Sequence, residues 1–115
     1  MTITLFGISN CDTIKKAKKH LENNNLEFNF HDYRKQGLDA ELLTKLENIF
    51  GWEAMLNKRG TNFRQLSDEQ KQNINKESAL AIMLESPAII KRPILLSDNH
   101  SLIGYKAAEY DALSA

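Results

Sequence analysis

The sequence contains a single cysteine among its 115 residues, so no disulfide can form within the chain. A small secreted scaffold held together by disulfides is therefore excluded. The three histidines, His20, His31 and His100, lie far apart and do not form the paired Cys/His spacing that is typical of a zinc site. We expect no metal.

The sequence also has no excess of charge of either sign and no long apolar run. Its 15 Lys and Arg residues balance 15 Asp and Glu residues, which leaves no overall field to attract nucleic acid or an anionic membrane. No segment of about 18 apolar residues is present, and the first residues lack the pattern of a signal peptide. We expect a cytoplasmic protein without a membrane or direct nucleic-acid partner.

The composition that remains is that of a folded globular protein. Hydrophobic residues make up 42% and charged residues 26% of the chain, unlike the composition of disordered segments. A chain of this length can bury one core. We therefore predict a single domain over residues 1–115.

The first third of the sequence predicts a βαβ unit. Residues 2–6 are β-branched and aromatic and read as a strand. From Asp12 the apolar residues recur with a period near 3.6, which predicts a helix ended by the asparagine run at 23–25. Residues 26–33 alternate as a second strand, and the crossover makes the two strands parallel.

The middle of the sequence predicts helices and the end predicts a hairpin. In chain order we expect a helix capped by Asp39 and ended by Gly51, a short helix at 52–56, a basic loop at 57–64, a helix from a capping box at Ser67 to Pro87, strands at 94–96 and 101–105, and a last short helix. This β-α-β … β-β-α order predicts an α/β thioredoxin-like fold with a helical insertion at approximately 39–86. A generic α+β domain is the alternative.

Cys11 lies where the first predicted strand gives way to the first helix. The free N–H groups and the dipole of a helix N-terminus favour a thiolate, and Lys15, one turn on, adds positive potential. The alternative is that Cys11 is simply a small apolar residue buried in the core. The polar neighbours of Cys11 favour an exposed, reactive thiol. Since position 14 is Ile, there is no CxxC motif, and a disulfide must use a thiol from outside the chain.

Two further features could bind an anion. Arg92 precedes Pro93 at the start of a predicted strand, and a guanidinium can bind a carboxylate or oxyanion in a fork, although a surface charge is equally consistent with the sequence. The loop carrying Lys58, Arg59 and Arg64 is basic, but a solvated charged face is its ordinary explanation.

Four segments together resemble the ArsC/Spx family, in particular its YffB-type members. They are Gly7–Ala17, His31–Arg34, Asn57–Thr61 and Pro87–Pro93, and they extend over nearly the whole chain in order. The resemblance implies a thioredoxin-like domain, a nucleophilic cysteine at Cys11, an active-site arginine at Arg92 and a cis-proline at Pro93. It also implies glutathione as the thiol co-substrate, with no bound cofactor.

This resemblance leads to a glutathione-dependent thiol reductase as the expected function. Cys11 and Arg92 are the expected catalytic residues. The substrate or glutathione would contact further residues, namely Asn10, Lys15, Lys58, Arg59, Arg64 and Pro93.

Two alternatives follow from the same resemblance. Arsenate reductases of the family carry a histidine just before the cysteine, where this chain has Gly7 or Ile8, and more arginines, so a weak arsenate reductase using glutathione and glutaredoxin is one alternative. The other is a non-catalytic, Spx-like regulator that binds RNA polymerase. Spx proteins commonly carry a CxxC motif at this loop, but residues 11–14 of this chain are Cys-Asp-Thr-Ile. An internal redox switch is therefore excluded.

Overall fold

The computed structural model describes residues 2–9 and 11–113, and its elements follow the predicted order. They are β1 (Thr4–Gly7), α1 (Asp12–Asn23), β2 (Asn29–Asp32), α2 (Ala40–Phe50), α3 (Trp52–Met55), α4 (Thr61–Arg64), α5 (Asp68–Gln72), α6 (Lys76–Glu85), a 3-10 turn (Pro87–Ile89), β3 (Ile94–Leu96), β4 (Ser101–Ile103) and α7 (Ala107–Asp111). None of the helices in this described part is long and apolar enough to cross a membrane.

The chain divides into two compact units. One comprises the described residues of Met1–Gly37 and Arg92–Ala115, and the other comprises Leu38–Lys91. The helical insertion expected at approximately 39–86 lies within the second unit.

The first unit contains a four-stranded sheet in the order β2-β1-β3-β4. β1 pairs in parallel with β2, as the βαβ pattern predicts, and antiparallel with β3. β3 and β4 form the predicted hairpin. Its turn is closed by the Ser97 N–H, which donates to the His100 carbonyl at 2.9 Å.

One apolar cluster joins this sheet to α1 and α7. The α1 residues Ala17 and Leu21 are buried, as their period predicts, and Ile14 of the same face is buried too. The cluster consists of Ile3, Leu5, Ala17, Leu21, Leu26, Leu95, Tyr110 and Leu113. Burial of this apolar face holds the first helix, and thus its N-terminus, against the sheet.

In the second unit, local capping sets the helix boundaries. The Asp39 side chain accepts the Leu42 N–H at 2.8 Å and begins α2, while Gly51 ends it with a φ of 85°. Ser67 and Gln70 form the predicted capping box of α5. Buried side chains in this unit include Leu43, Leu46, Met55, Leu56, Ala79, Met83, Ile89 and Ile90.

The structure corrects several predicted boundaries. β1 begins at Thr4 rather than residue 2, and β2 covers only 29–32 of the predicted 26–33, because the ladder between them runs from Thr4 and Asn29 to Gly7 and Asp32. The predicted loop at 57–64 ends in one helical turn, α4.

The prediction of one long helix from Ser67 to Pro87 is wrong. It is two helices, since Asn73 ends α5 and Asn75 caps α6 by accepting the Ser78 N–H at 2.9 Å. Asparagine hydrogen-bonds the backbone locally, which favours a new helix start over continuation of the old one.

Candidate active site

The sheet topology brings three segments together at the end of β1. β2 runs parallel to β1 with Asp32 opposite Gly7, and β3 runs antiparallel with Ile94 opposite Phe6. The loop that follows β1, the residues that follow β2 and the residues that precede β3 therefore lie beside one another. This arrangement brings Cys11 and Arg92 together although they are distant in sequence.

Cys11 is the N-cap residue of α1, with extended backbone angles and a half-buried side chain. Its carbonyl accepts the Lys15 N–H at 3.1 Å, the first hydrogen bond of the helix. The sulfur makes no side-chain capping hydrogen bond of ordinary geometry. It nevertheless lies at the helix end where unpaired N–H groups and the dipole attract negative charge.

The pKa of the Cys11 thiol is lowered overall. Partial burial alone raises this pKa, but the backbone N–H groups of Ile14 and Thr13 lower it, and so do the charge of Arg92 and a hydrogen bond from its side chain. Since the lowering contributions prevail, the thiolate is favoured relative to an ordinary cysteine. The thiolate is the nucleophilic form of cysteine, and this site supports it.

Gly7 allows α1 to lie close to β1. A Cβ at this position would overlap the side chain of Ile14, which is fully buried in the first turn of the helix. Ile14 is also one of the residues whose N–H lowers the pKa of the Cys11 thiol. Because Gly7 has no side chain, the first turn of α1 can lie close to β1, and this helps to set the position of Cys11.

Arg92 and Pro93 enter the site from the start of β3. The peptide bond between them is cis. Pro93 is buried, and its carbonyl accepts the Gly104 N–H at 2.8 Å, which ties the strand start to the end of the hairpin. The half-buried Arg92 guanidinium faces the Cys11 sulfur and also acts electrostatically on Tyr33.

The sequence is similar to a family of known proteins. The ArsC family model matches residues 6–113. The chain belongs to the ArsC family. An uncharacterized protein of Haemophilus influenzae is 48% identical over 113 residues, which cover 98% of this chain and 99% of that protein.

Solved structures of similar proteins have the same fold. A YFFB protein superposes with a TM-score of 0.89 at 39% identity, covering 96% of each chain. An arsenate reductase (ArsC) related protein from Brucella melitensis superposes with a TM-score of 0.83 at 44% identity, covering 97% of this chain and 93% of the other. The predicted thioredoxin-like α/β fold is confirmed.

A more distant relative carries a different function in its name. The global transcriptional regulator Spx of Streptococcus agalactiae is 27% identical over 112 residues, covering 96% of this chain and 81% of the regulator. The ArsC family relatives of this chain therefore include both arsenate-reductase-like proteins and regulators.

The predicted site residues are divided between the two compact units. Cys11, Arg92 and Pro93 belong to the first unit, at the end of the sheet where the loop after β1 lies beside the residues before β3. Lys15 is exposed on α1, and the groups that lower the pKa of the Cys11 thiol are the N–H groups and Arg92 described above. Asn10 lies outside the described residues.

The three basic residues at positions 58–64 belong to the second unit, and all are exposed. Arg64 donates from Nη2 to the Arg59 carbonyl at 2.9 Å, and Asn57 Oδ1 accepts the Arg59 N–H at 3.3 Å. Arg64 therefore also stabilises its own loop, while Lys58 and Arg59 extend their charges to solvent.

Sequence reasoning missed Asp32 and Tyr33 as individual members of this site. Both are buried, at 3% exposure each. Asp32 is the last residue of β2, paired with Gly7, and Tyr33 follows it. The alternating pattern of residues 26–33 placed them in a strand but did not identify their neighbours. Their position at the carboxyl end of a strand parallel to β1 was the available signal.

Proposed function

We propose that this protein is a glutathione-dependent thiol reductase that acts through Cys11. The observation that carries the proposal is the Arg92 guanidinium beside a cysteine sulfur at the N-terminus of α1. Both features lower the pKa of the thiol. Membership in the ArsC family, with arsenate-reductase-like relatives, supports thiol oxidoreductase chemistry in general.

In the first step the Cys11 thiolate attacks the glutathione sulfur of a mixed disulfide between glutathione and a substrate thiol. The sulfur–sulfur bond of the substrate breaks, and a new disulfide forms between Cys11 and glutathione. The substrate sulfur leaves as a thiolate and takes a proton from solvent. The N-terminus of α1 and Arg92 hold the negative charge on Cys11 before attack.

In the second step a molecule of free glutathione restores the cysteine. Its thiolate attacks the sulfur of the bound glutathione, so that glutathione disulfide leaves and Cys11 returns to a thiolate. In the net reaction, one mixed disulfide and one free glutathione give the substrate thiol and one glutathione disulfide. No second cysteine of the chain is needed, which agrees with the single cysteine of the sequence.

Binding of the glutathione carboxylates is assigned to basic residues. In this proposal Arg92 orients a carboxylate through its planar guanidinium, and Lys15 and Pro93 are further ligand contacts. Asn10, the other predicted contact, lies outside the described residues. Within the second unit, the proposal also assigns anion binding to the exposed residues Lys58, Arg59 and Arg64. A cytoplasmic location would supply reduced glutathione.

The test is turnover of the mixed disulfide of glutathione and 2-mercaptoethanol, followed as the formation of glutathione disulfide. Cys11→Ser should abolish turnover, because serine cannot form the intermediate. Thr44→Ser, an equally small change on the exposed face of α2, should leave the rate unchanged. Full turnover by Cys11→Ser would refute the mechanism.

A regulator that binds RNA polymerase is the second candidate, favoured by the Spx relatives. A stable complex with RNA polymerase that persists unchanged in Cys11→Ser would support this function. The same complex would be absent if the protein works as a reductase only.

Weak arsenate reduction is the third candidate, supported by the likeness to an arsenate reductase (ArsC) related protein. Here the Cys11 thiolate would attack the arsenic of bound arsenate, and an arsenate oxygen would leave as water. Glutathione with glutaredoxin would then supply the two electrons that reduce the arsenic and release the adduct. Arsenate turnover that disappears in Arg92→Ala would support this candidate, and a lack of turnover in the wild-type protein would remove it.

A further inference from the structure

Asp32 is a buried carboxylate for which the proposed chemistry has no direct use. Only 3% of the residue is exposed. Its Oδ1 accepts the Arg34 N–H at 2.9 Å, and its Oδ2 accepts the Ser9 N–H at 3.2 Å. Hydrogen bonding from the Ser9 hydroxyl and the Lys35 N–H also lowers the pKa of this carboxyl.

The two residues that this carboxylate joins, Asp32 and Ser9, differ in their secondary structure. Asp32 itself is fixed by the β1–β2 ladder and by the turn after it, where its N–H donates to Gln36 Oε1 at 2.8 Å and its carbonyl accepts the Gln36 N–H at 2.8 Å. Ser9, in contrast, lies between the end of β1 and the start of α1, outside both the ladder and the helix. The carboxylate therefore connects a paired strand and its hydrogen-bonded turn to the segment that leads into the cysteine.

We infer that Asp32 is a positioning residue that holds the Ser9 backbone and thereby fixes Cys11 at the start of α1. The inference rests on the proposed thiolate role of Cys11. Ser9 is two residues from Cys11, so a shift of its backbone moves the sulfur relative to the N–H groups of α1 and to Arg92.

The chemistry of the surroundings requires a carboxylate rather than an amide. Each hydrogen-bond partner of the Asp32 side chain described above is a donor, and an ionised carboxylate only accepts. Burial raises the pKa of Asp32, but these donors outweigh burial and lower it, so the residue is ionised at neutral pH. An asparagine would turn an N–H group toward one of the donors and lose that hydrogen bond.

The test compares Asp32→Asn with the wild-type protein in the pH dependence of Cys11 alkylation by iodoacetamide. If Asp32 positions the site, the midpoint rises by about half a unit or more, which is roughly threefold less thiolate well below the midpoint. Loss of the negative charge alone would stabilise the thiolate and lower the midpoint. An unchanged or lowered midpoint therefore overturns the inference.

Asp39→Asn is the matched control, because Asp39 also accepts a backbone N–H but caps α2 in the second unit. It should leave the midpoint unchanged. Equal shifts in both variants would overturn the inference, because they would reflect a general loss of stability.

If Asp32→Asn does not fold, the wild-type protein supplies the answer by NMR. The Ser9 amide proton should shift with the titration of the Asp32 carboxyl, and a Ser9 amide that does not respond overturns the inference. Neither measurement uses glutathione. A wild-type protein without disulfide turnover would therefore refute the proposed function, while the result for Asp32 could still be interpreted.

Discussion

At the scale of single residues, opposing influences act on the thiol of Cys11. Partial burial favours the neutral thiol, while the Ile14 and Thr13 N–H groups and Arg92 favour the thiolate. The Thr13 and Ile14 contacts depend on the first turn of α1, and the Arg92 contact depends on where that turn lies relative to the start of β3. The state of the thiol is therefore sensitive to small displacements of the first helical turn.

Gly7→Ala should make such a displacement. The new methyl group overlaps Ile14, so we expect the free energy of unfolding to fall by about 1–3 kcal/mol, as is usual for overpacking. We also expect the midpoint of Cys11 alkylation to rise, because the helix N–H groups move away from the sulfur. Chemical denaturation and alkylation against pH measure the two effects.

The control for this prediction is Gly37→Ala. Gly37 has a φ of 89° and open space around the missing Cβ, so alanine costs stability through backbone strain. It should leave the alkylation midpoint unchanged. A midpoint that also stays unchanged in Gly7→Ala would show that close packing at Gly7 does not position Cys11.

The sequence predicted some of these residues better than others. Cys11 at a helix N-terminus followed from local pattern alone, because a strand, a polar turn and a helix are readable within a dozen residues. Arg92 is distant in sequence, and only the family resemblance connected it to Cys11. Asp32 was missed, because its role arises from parallel pairing with β1 and has no local motif.

At the scale of elements, capping side chains decide where helices begin and end in the second unit. The start of α2 at Asp39 and the start of α5 at Ser67 were predicted from such residues and are confirmed. The break between α5 and α6 was missed, because the capping box at Ser67 and the apolar residues at 79–83 were assigned to one helix. There the asparagine at position 75 caps a new helix.

Asn75→Ala should reveal the contribution of that cap. The side chain accepts the Ser78 N–H at 2.9 Å, and the Ser78 hydroxyl oxygen accepts the Asn75 N–H at 2.9 Å. Its loss should lower the free energy of unfolding by about 1 kcal/mol. Urea denaturation measures the change.

Asn75→Ser supplies the comparison, since serine also caps helices well, and it should retain most of the stability. Equal stability of the alanine and wild-type proteins would mean that α6 does not depend on its capping box.

At the scale of the whole molecule, two buried tyrosines couple stability to alkaline pH. Among the described residues, the hydroxyl groups of Tyr33 and Tyr110 are buried without a hydrogen-bond partner. Burial raises the pKa of both phenols above the ordinary value. Because the raised pKa belongs to the folded state, their contribution to stability is present below pH of about 10 and is lost as the pH rises further.

Tyr110→Phe should therefore raise the free energy of unfolding at pH 7 by about 1 kcal/mol and weaken its fall above pH 10. The variant keeps the ring in the core and removes a hydroxyl that has no partner. Thermal and chemical unfolding at several pH values measure both effects.

Tyr105→Phe is the matched control, and its expected effect on the free energy of unfolding has the opposite sign. The Tyr105 hydroxyl shares a 2.6 Å hydrogen bond with His20 Nδ1, so its removal should cost about 1 kcal/mol. Loss of stability in Tyr110→Phe at pH 7 would contradict the view of its hydroxyl as an unpaired buried group.

The central claim is that α1 and Arg92 together make Cys11 a reactive thiolate. The most direct measurement is the alkylation rate of Cys11 against pH in the wild-type protein, Arg92→Gln and Lys91→Gln. Since the chain has one cysteine, the signal belongs to that residue. Lys91→Gln removes a positive charge from the neighbouring exposed residue and serves as the control.

We predict a wild-type midpoint below the ordinary thiol value of about 8.5. Arg92→Gln should raise the midpoint and slow alkylation at pH 7 about tenfold, as expected for loss of a charge-assisted hydrogen bond. Lys91→Gln should resemble the wild-type protein. A wild-type midpoint at or above about 8.5, or a midpoint that is the same in Arg92→Gln, would contradict the claim.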